Sequence, residues 1–476
     1  MGCSDWVVLV VFWCLLLPNV DQKQCYDLNL DSWFFVMTSA GKQGKTYIGF
    51  LGALSIGIGG MVGGGIFAVL GEAVSLAHLS TSLAFIIAGS VAILTAFAYA
   101  RLSVAFPGRG GTVLFIDRGF GNNLASGSLN LMLWLSYLVT IALYANAFAS
   151  YALTFFHDSG SPFLRHLLTS GAILLPTFIN LTNASFVSRS ETVIVLFKLL
   201  LLLVIIGFSL PAVGVVSVLP TDLSQLPSIV TAGMVIFVAY EGFELIANAS
   251  DDVRNPGKTL PAAFFSSVLI VIMLYVIIGY VTVGAVPEQQ LLHAKDYALA
   301  VAARPSLGET GFTIVSIAAL LATFSAINAT IYGNARLGYF LARDGELPEV
   351  FDRQLWNEPV TGVLVTAFIS LFIANTLDIS SISVIASASF LLVFTLVNAS
   401  AVKLTKEIHG RCWIHVLGAV FCGMSLSVLL VHAALSDFRA ILVFVTFIVF
   451  SFLFEWVYGK NARGHFLGRP YVKEKS

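Results

Sequence analysis

A run of glycines is the first feature of this sequence whose chemistry stands out. Residues 57–67 hold six glycines in eleven positions, and each glycine within a helix is roughly 1 kcal/mol less favourable than alanine. The run therefore favours local unwinding, and freed amides at the start of the following half-helix would attract an anion such as a carboxylate. Close helix packing through small residues is the alternative interpretation.

Two acidic residues, Glu241 and Glu244, lie beside Gly242 in a second apolar segment. A carboxylate inside a membrane span costs several kcal/mol unless it faces a polar cavity or is neutral. Interrupted segments at matched positions in two halves of a chain indicate a transport site between inverted repeats. The sequence therefore predicts that the glycine run and this acidic segment form one binding site.

Lys198 is a third charged group within an apolar segment. It follows Arg189 by nine residues, which is about 14 Å along a helix, and apolar residues continue to Phe208. A charged lysine near the bilayer midplane costs roughly 2.5–3.5 kcal/mol. Burial therefore favours the neutral form, and the group could exchange a proton. A lysine that snorkels along the span, or that makes a fixed structural hydrogen bond, is the alternative.

The composition indicates lipid as the solvent. Of the 476 residues, 58% are apolar and 11% are charged, and the mean hydropathy is +0.90, which leaves too little charge to cover a soluble domain. The net charge of −1 argues against a nucleic-acid partner. The spacing of the five cysteines matches neither a metal site nor a disulfide framework. We expect no metal and no organic cofactor.

Twelve segments have the length and hydropathy of transmembrane helices, since a hydrocarbon core about 30 Å thick needs roughly 20 apolar residues. Nineteen Lys and Arg residues fall on one side of these spans and four on the other, which predicts that both termini are cytoplasmic. The predicted class is an all-α membrane protein with spans at about 47–72, 80–106, 124–156, 166–184, 189–212, 227–249, 259–285, 308–341, 359–376, 380–403, 412–433 and 437–458.

Residues 1–36 do not fit this pattern. The apolar run from Trp6 to Leu17 has only 12 residues, which is too short to span a bilayer, and it lacks the basic region and cleavage site of a signal peptide. Our hypothesis is that the native protein begins at Met37 and that the preceding leader is not native. A segment lying in the membrane interface is the alternative.

Several segments, in order along residues 45–460, resemble signatures of the amino acid–polyamine–organocation (APC) permeases. The resemblance implies a LeuT-type fold with a 5+5 inverted repeat and twelve transmembrane helices, working by alternating access. It divides the chain into a first repeat at 37–212, a second at 213–403, and two further helices with a tail at 404–476. The matching segments are Gly59–Phe67, Pro107–Thr112 with Arg118–Gly121, Tyr240–Glu244, Asp251–Pro261, and Ala335–Tyr339 with Ala342–Pro348.

The same resemblance implies roles for individual residues in the predicted site. The carboxylate of an amino acid would meet amides near Gly63, Gly64 and Gly65. Its amino group would meet carbonyls around Gly59 and around residues 237–240. Phe237 would be an aromatic lid, with Tyr240 close enough to compete for that role. The remaining members of the predicted pocket are Val62 and Glu241, with Tyr144, Asn328 and Phe390 as weaker candidates that could equally be packing residues.

The resemblance also implies a coupling ion, which is the proton. Proton-coupled members of the family place a fifth-helix lysine where sodium-coupled relatives bind their ion, and Lys198 is similar in position. Its ammonium would contact carbonyls near Gly59 or Val62 and the hydroxyl of Thr323 or Ser325. Glu244 is a second candidate for protonation, with a structural bridge across the break as the alternative.

The expected function is secondary active transport of amino acids across the plasma membrane by proton symport, with neutral amino acids favoured. An exchanger of amino acids for decarboxylated amines is the runner-up within the same fold. A channel or a membrane enzyme is a more distant alternative. The sequence has no catalytic constellation near an interface and no phosphate-binding loop, which argues against an enzyme and against transport driven by ATP through this chain alone.

Overall fold

The described part of the chain is helical. The computed structural model describes residues 47–156, 161–182, 184–214, 222–352, 359–436 and 438–463, so the predicted leader at 1–36 lies outside the described residues. Within these ranges the backbone forms α-helices and short 3-10 helices, and the β-type pairing is confined to one bridge between Ile48 and Val253. The predicted all-α class is therefore confirmed.

The α-helices are named here in chain order. The first nine are α1 (Phe50–Met61), α2 (Gly65–Ala77), α3 (Thr81–Ala105), α4 (Thr112–Phe120), α5 (Leu124–Leu153), α6 (Pro162–Thr182), α7 (Ala184–Ser209), α8 (Leu226–Val235) and α9 (Leu245–Asn248). The others are α10 (Pro256–Ala285), α11 (Glu288–His293), α12 (Ala298–Ala302), α13 (Arg304–Arg343), α14 (Val360–Thr376), α15 (Ile379–Lys403), α16 (Cys412–Ser436) and α17 (Phe438–Arg463).

Ten helical segments among the described residues are long and apolar enough to cross a membrane. Helices α1 and α14 are also apolar but contain 12 and 17 residues, fewer than the roughly 20 that a span normally needs. Helix α1 continues after a short break as α2, so these two half-helices together have the length of one span. The chain is therefore a multi-pass membrane protein.

Central and peripheral helices differ in the solvent that they face. Of the most apolar 18 residues of α5, 94% are buried within the protein, whereas the share for α17 is 22%. Large apolar side chains on α17, such as Leu442 and Val449, are exposed. Because water would not tolerate such a surface, the outer helices face lipid while α5 lies in the centre of the bundle.

Helix α5 begins at a capping box. The Asn123 side chain accepts hydrogen bonds from the amides of Ala125 and Ser126 at 2.9 and 3.2 Å, and the Ser126 hydroxyl accepts one from the Asn123 amide at 3.0 Å. Such a cap stabilises a helix by about 1 kcal/mol. It fixes the start of the central helix, which carries several of the side chains of the candidate site.

One end of the bundle, called here the basic end, contains the loops at 106–111, 249–255 and 343–352. The Ile48 amide donates to the Asp252 carbonyl at 2.7 Å, and the Arg254 amide donates to the Ile48 carbonyl at 2.9 Å. The Gly108 amide donates to the Ser250 hydroxyl at 3.0 Å. These bonds join the chain before α1 to the chain after α9, so the two segments close this end together.

The opposite end is closed by the loop that carries Lys295 and Asp296. The Lys295 ammonium lies 2.7 Å from Glu72 on α2, an ionic contact rather than an aligned hydrogen bond. Asp296 accepts hydrogen bonds from Arg165 at 3.1 Å and from Ser150 at 3.2 Å. A cavity of about 360 Å³ lies beside these charges. The loop thereby links α2 to α5 and α6.

Gly71 on α2 makes the close approach of this loop possible. A Cβ atom at Gly71 would lie 1.7 Å from the backbone oxygen of Lys295. No ordinary contact is that short, so any larger residue must displace the loop. Gly171 on α6 offers a contrast, because a Cβ atom there would meet nothing within 4 Å.

We predict that Gly71→Ala lowers stability while Gly171→Ala does not. The first change should lose roughly 1–3 kcal/mol through overpacking, whereas alanine in an unobstructed helix interior should gain up to about 1 kcal/mol. Thermal unfolding of the detergent-purified proteins measures both. Equal midpoints for the two variants would contradict the close approach of the Lys295 loop.

Candidate functional site

The first interruption lies within the predicted glycine run but is shorter than the run. Helix α1 ends at Met61, residues 62–64 are not helical, and α2 begins at Gly65. The predicted unwinding is therefore present at Val62, Gly63 and Gly64, while Gly59 still belongs to α1.

The glycines that remain helical serve close packing. A Cβ atom at Gly59 would lie 2.6 Å from the Cγ2 atom of Val195 on α7, and one at Gly60 would lie 2.6 Å from the carbonyl oxygen of Gly242. The unwinding and the close packing that the glycine run favours are thus both present. Close approach of neighbours occurs along the whole run, and the unwinding is confined to residues 62–64.

The second interruption follows α8. Residues 236–240 form a 3-10 helix, residues 241–244 form a turn, and only the single turn of α9 follows. Gly242 has φ of +115°, and a Cβ atom there would lie 2.3 Å from the carbonyl carbon of Gly60. Both the backbone conformation and the contact require glycine, so the last turn of α1 and the second interruption touch through bare backbone.

A tyrosine on α10 joins the two interruptions. The Tyr275 hydroxyl lies 2.7 Å from the carbonyl oxygen of Met61 and 3.2 Å from that of Ala239. One hydroxyl proton is thus shared by carbonyls that helix breaks have left free. Sequence reasoning missed this residue, because a tyrosine in an apolar span carries no local signal of such a role.

The half-helices present opposite partial charges at the first break. Helix α1 ends there, which leaves carbonyl groups with partial negative charge, and α2 begins there with amides of partial positive charge. No described side chain caps the start of α2. This arrangement can accommodate a dipolar ligand, with its anionic group at α2 and its cationic group at α1.

The two acidic residues of the second break are held by α5. Glu241 accepts a hydrogen bond from the Thr140 hydroxyl at 3.0 Å. Glu244 accepts one from the Tyr137 hydroxyl at 3.0 Å and another from the Gly242 amide at 2.7 Å. Both side chains are buried. Glu244 therefore bridges the turn to α5, while Glu241 accepts fewer of the described hydrogen bonds.

A cavity of about 70 Å³ lies against both breaks and reaches toward the basic end. Its walls come from both interrupted helices together with α5 and α13. Glu241 is the single charged residue among the described residues of its walls. These residues are Gly59, Gly60, Gly110, Thr112, Leu133, Tyr137, Tyr144, Glu241, Gly242, Leu245, Asn248, Ala326, Ala329, Thr330, Gly333, Asn334 and Leu337.

Of the predicted site residues, Gly59, Glu241 and the weaker candidate Tyr144 line this cavity, and the break at 62–64 lies just behind it. A Cβ atom at Gly63 would lie 2.9 Å from Ala326, and one at Gly64 would lie 2.3 Å from the ring of Tyr144. Both neighbours are cavity residues. A single side chain, Ala326 or Tyr144, therefore separates the predicted carboxylate site from the cavity.

Phe237 and Tyr240 are not brought to the cavity. The Phe237 ring packs against Phe394 with centroids 6.0 Å apart, and the Tyr240 hydroxyl donates to the Phe85 carbonyl at 2.8 Å. Residues i and i+3 eclipse each other in a 3-10 helix, so both side chains turn to the same side. The aromatic residues that do reach the cavity are Tyr137 and Tyr144.

Lys198 is buried, with 5% of its surface exposed, on the helix that packs against α1 and α13. It lies one turn after Val195, the residue in contact with Gly59. Thr323 is buried and lies one turn before Ala326, the neighbour of Gly63, so it shares the side of α13 that faces the break. Ser325 is half-buried and lies about 100° around the helix from Ala326.

Comparisons with known proteins identify the family. A family model described as amino acid permease matches residues 48–462. The uncharacterized protein MJ0609 of Methanocaldococcus jannaschii is 35% identical over 424 residues, covering 88% of this chain and 97% of its own length. The inner membrane transport protein YbaT of Escherichia coli K12 is 34% identical over 391 residues, covering 81% of this chain and 90% of its own length.

A more distant relative shows that family membership leaves the cargo open. The methylthioribose transporter of Bacillus subtilis is 26% identical over 375 residues, covering 74% of this chain and 79% of its own length. The family match nevertheless spans most of this chain, and the matched proteins are permeases and transporters rather than enzymes. The chain belongs to the amino acid permeases of the APC family and is a membrane transporter.

Proposed function

We propose that this protein is a proton-coupled amino acid symporter of the plasma membrane with a LeuT-type fold. In this proposal twelve transmembrane helices form a 5+5 inverted repeat and two additional helices. The observation that supports it best is the direct contact of two interrupted helices at Gly60 and Gly242 beside a cavity. Broken helices at membrane depth are tolerated where they line a cavity or are buried in protein.

The distribution of basic residues gives the proposed orientation. The loops of the basic end lie on the side of the predicted spans that carries nineteen Lys and Arg residues, against four on the other side, so this end is assigned to the cytoplasm together with both termini. The opposite end, closed by the Lys295 loop, then faces outward. Alternating access requires the contacts at each end to break in turn, namely Ile48 with residues 252–254 inside and Lys295 with Glu72 outside.

The substrate in this proposal is an amino acid bound across the first break. Its carboxylate meets the amides of Gly63, Gly64 and Gly65 at the positive end of α2, and its amino group meets the carbonyl end of α1 near Gly59. Each group thus faces a partial charge of opposite sign. The protein thus compensates both charges of the zwitterion. Without this compensation, placing the two charges within the hydrocarbon region would be strongly unfavourable.

Lys198 is the proposed proton carrier. Its burial one turn from the α1 contact, and the position of Thr323 on the facing side of α13, support this role. A protonated ammonium can donate to carbonyls of the break and to a hydroxyl on α13, whereas the neutral amine binds them weakly. Protonation would therefore hold α1 and α13 together, and deprotonation would release them.

We predict that Lys198→Ala abolishes accumulation driven by a proton gradient but retains exchange of amino acid across the membrane. Uptake into proteoliposomes with an alkaline interior measures the first, and counterflow without a gradient measures the second. Lys258→Ala, an exposed lysine at the basic end, is the matched control and should behave as wild type. Gradient-driven uptake that is unchanged in Lys198→Ala would refute the role of Lys198.

We predict that Gly60→Ala reduces uptake at least about tenfold, because the new methyl group would overlap the backbone of Gly242 and force the breaks apart. Gly207→Ala on α7 is the matched control, since a Cβ atom there meets nothing within 4 Å. Size-exclusion chromatography establishes that both variants are folded. Normal uptake by folded Gly60→Ala would show that transport does not depend on this contact.

A further inference from the structure

The charge in the cavity is one-sided. Glu241 is the single charged residue among the described residues of the cavity wall, and that wall includes no Lys, Arg or His. In a small, buried space a carboxyl group is ionised where a positive partner compensates its lost hydration, and without that partner it is held neutral. The described wall does not supply this partner.

Glu241 also differs from its neighbour Glu244 in how its oxygens are used. Glu244 accepts bonds on both oxygens, from Tyr137 on Oε1 and from the Gly242 amide on Oε2. Glu241 accepts the Thr140 hydroxyl on Oε2 alone among the described hydrogen bonds. Thr140 orients the Glu241 carboxylate, and Oε1 keeps its capacity to accept.

We infer that Glu241 is the counter-charge for the amino group of the substrate, so that the site requires a primary amine more strictly than it requires a carboxylate. This inference deepens the proposed function and rests on it. An ammonium provides both the missing positive charge and the hydrogen-bond donors that a carboxylate accepts most strongly.

The positive and negative poles of the site differ in the size of their charge, and this difference predicts an order of binding among related ligands. The positive pole at the start of α2 consists of backbone amides with a helix dipole equivalent to about half an elementary charge. The negative pole combines the carbonyl end of α1 with Glu241, which carries a full charge once a cation lies beside it. An amine without a carboxylate therefore keeps the stronger pole, whereas an acid without an amine offers Glu241 no positive partner. The expected order of binding is amino acid, then amine, then hydroxy acid.

The test uses three compounds that share one side chain. Uptake of the twenty standard amino acids into proteoliposomes first selects the one transported best. Its 2-hydroxy acid and its decarboxylated amine then compete with it; for leucine these are 2-hydroxy-4-methylpentanoate and 3-methylbutylamine. For the wild-type protein we expect the inhibition constant of the hydroxy acid to exceed that of the amine by roughly tenfold or more, the size of a charged hydrogen bond.

The variant Glu241→Gln removes the charge and keeps the shape. It should reduce the ratio of the hydroxy-acid constant to the amine constant by about tenfold, and Glu241→Asp should restore part of it. Glu309→Gln, an exposed glutamate paired with Arg304, is the matched control and should keep the wild-type ratio. A purely structural role for Glu241 would lower overall uptake without changing this ratio.

The outcomes separate the inference from the proposed function. If the wild-type protein takes up no amino acid, the proposed function fails. If it does, and Glu241→Gln keeps the wild-type ratio, Glu241 is not the counter-charge and the inference fails alone. Loss of gradient-driven uptake with an unchanged ratio would instead assign Glu241 to proton transfer. Should Glu241→Gln not fold, a wild-type hydroxy-acid constant equal to or below that of the amine would overturn the inference.

Discussion

The backbone contact between Gly60 and Gly242 is the constraint on which the rest of the site depends. Two helices can be broken inside a membrane only if their free peptide groups are shielded from lipid, and here each break shields the other. The contact leaves no room for a Cβ atom on either side. Tyr275 adds one hydroxyl that bonds a free carbonyl of each segment. The breaks are therefore a single structural unit, although they lie in distant parts of the sequence.

This unit is polarised along the protein. The carbonyl end of α1 and Glu241 lie on one side of the first break, and the uncapped start of α2 lies on the other. The half-helices also extend in opposite directions, α1 toward the contact of Ile48 at the basic end and α2 toward the Glu72 contact at the opposite end. A ligand bound at the break, as proposed above, would contact helices that belong to the closures of both ends.

Features that depend on local energetics were predictable from the sequence. Glycine density and carboxylates within spans are unfavourable in lipid wherever they occur, so the two interruptions could be located before the structure was known. Features that depend on contacts with distant parts of the chain could not be predicted from the sequence. The exact break at Val62, the side to which Phe237 turns and the role of Tyr275 each follow from packing between segments far apart in the chain, and no short stretch of sequence encodes that packing.

The bond between Tyr275 and Met61 has a consequence for the assembly of the protein in the membrane. Its partners are separated by 214 residues, so the ribosome completes the glycine-rich break long before it makes the helix that satisfies it. In hydrocarbon those early peptide groups would have no partner. Until more than half of the chain has been synthesised, the Met61 carbonyl therefore needs water or another protein group as its partner.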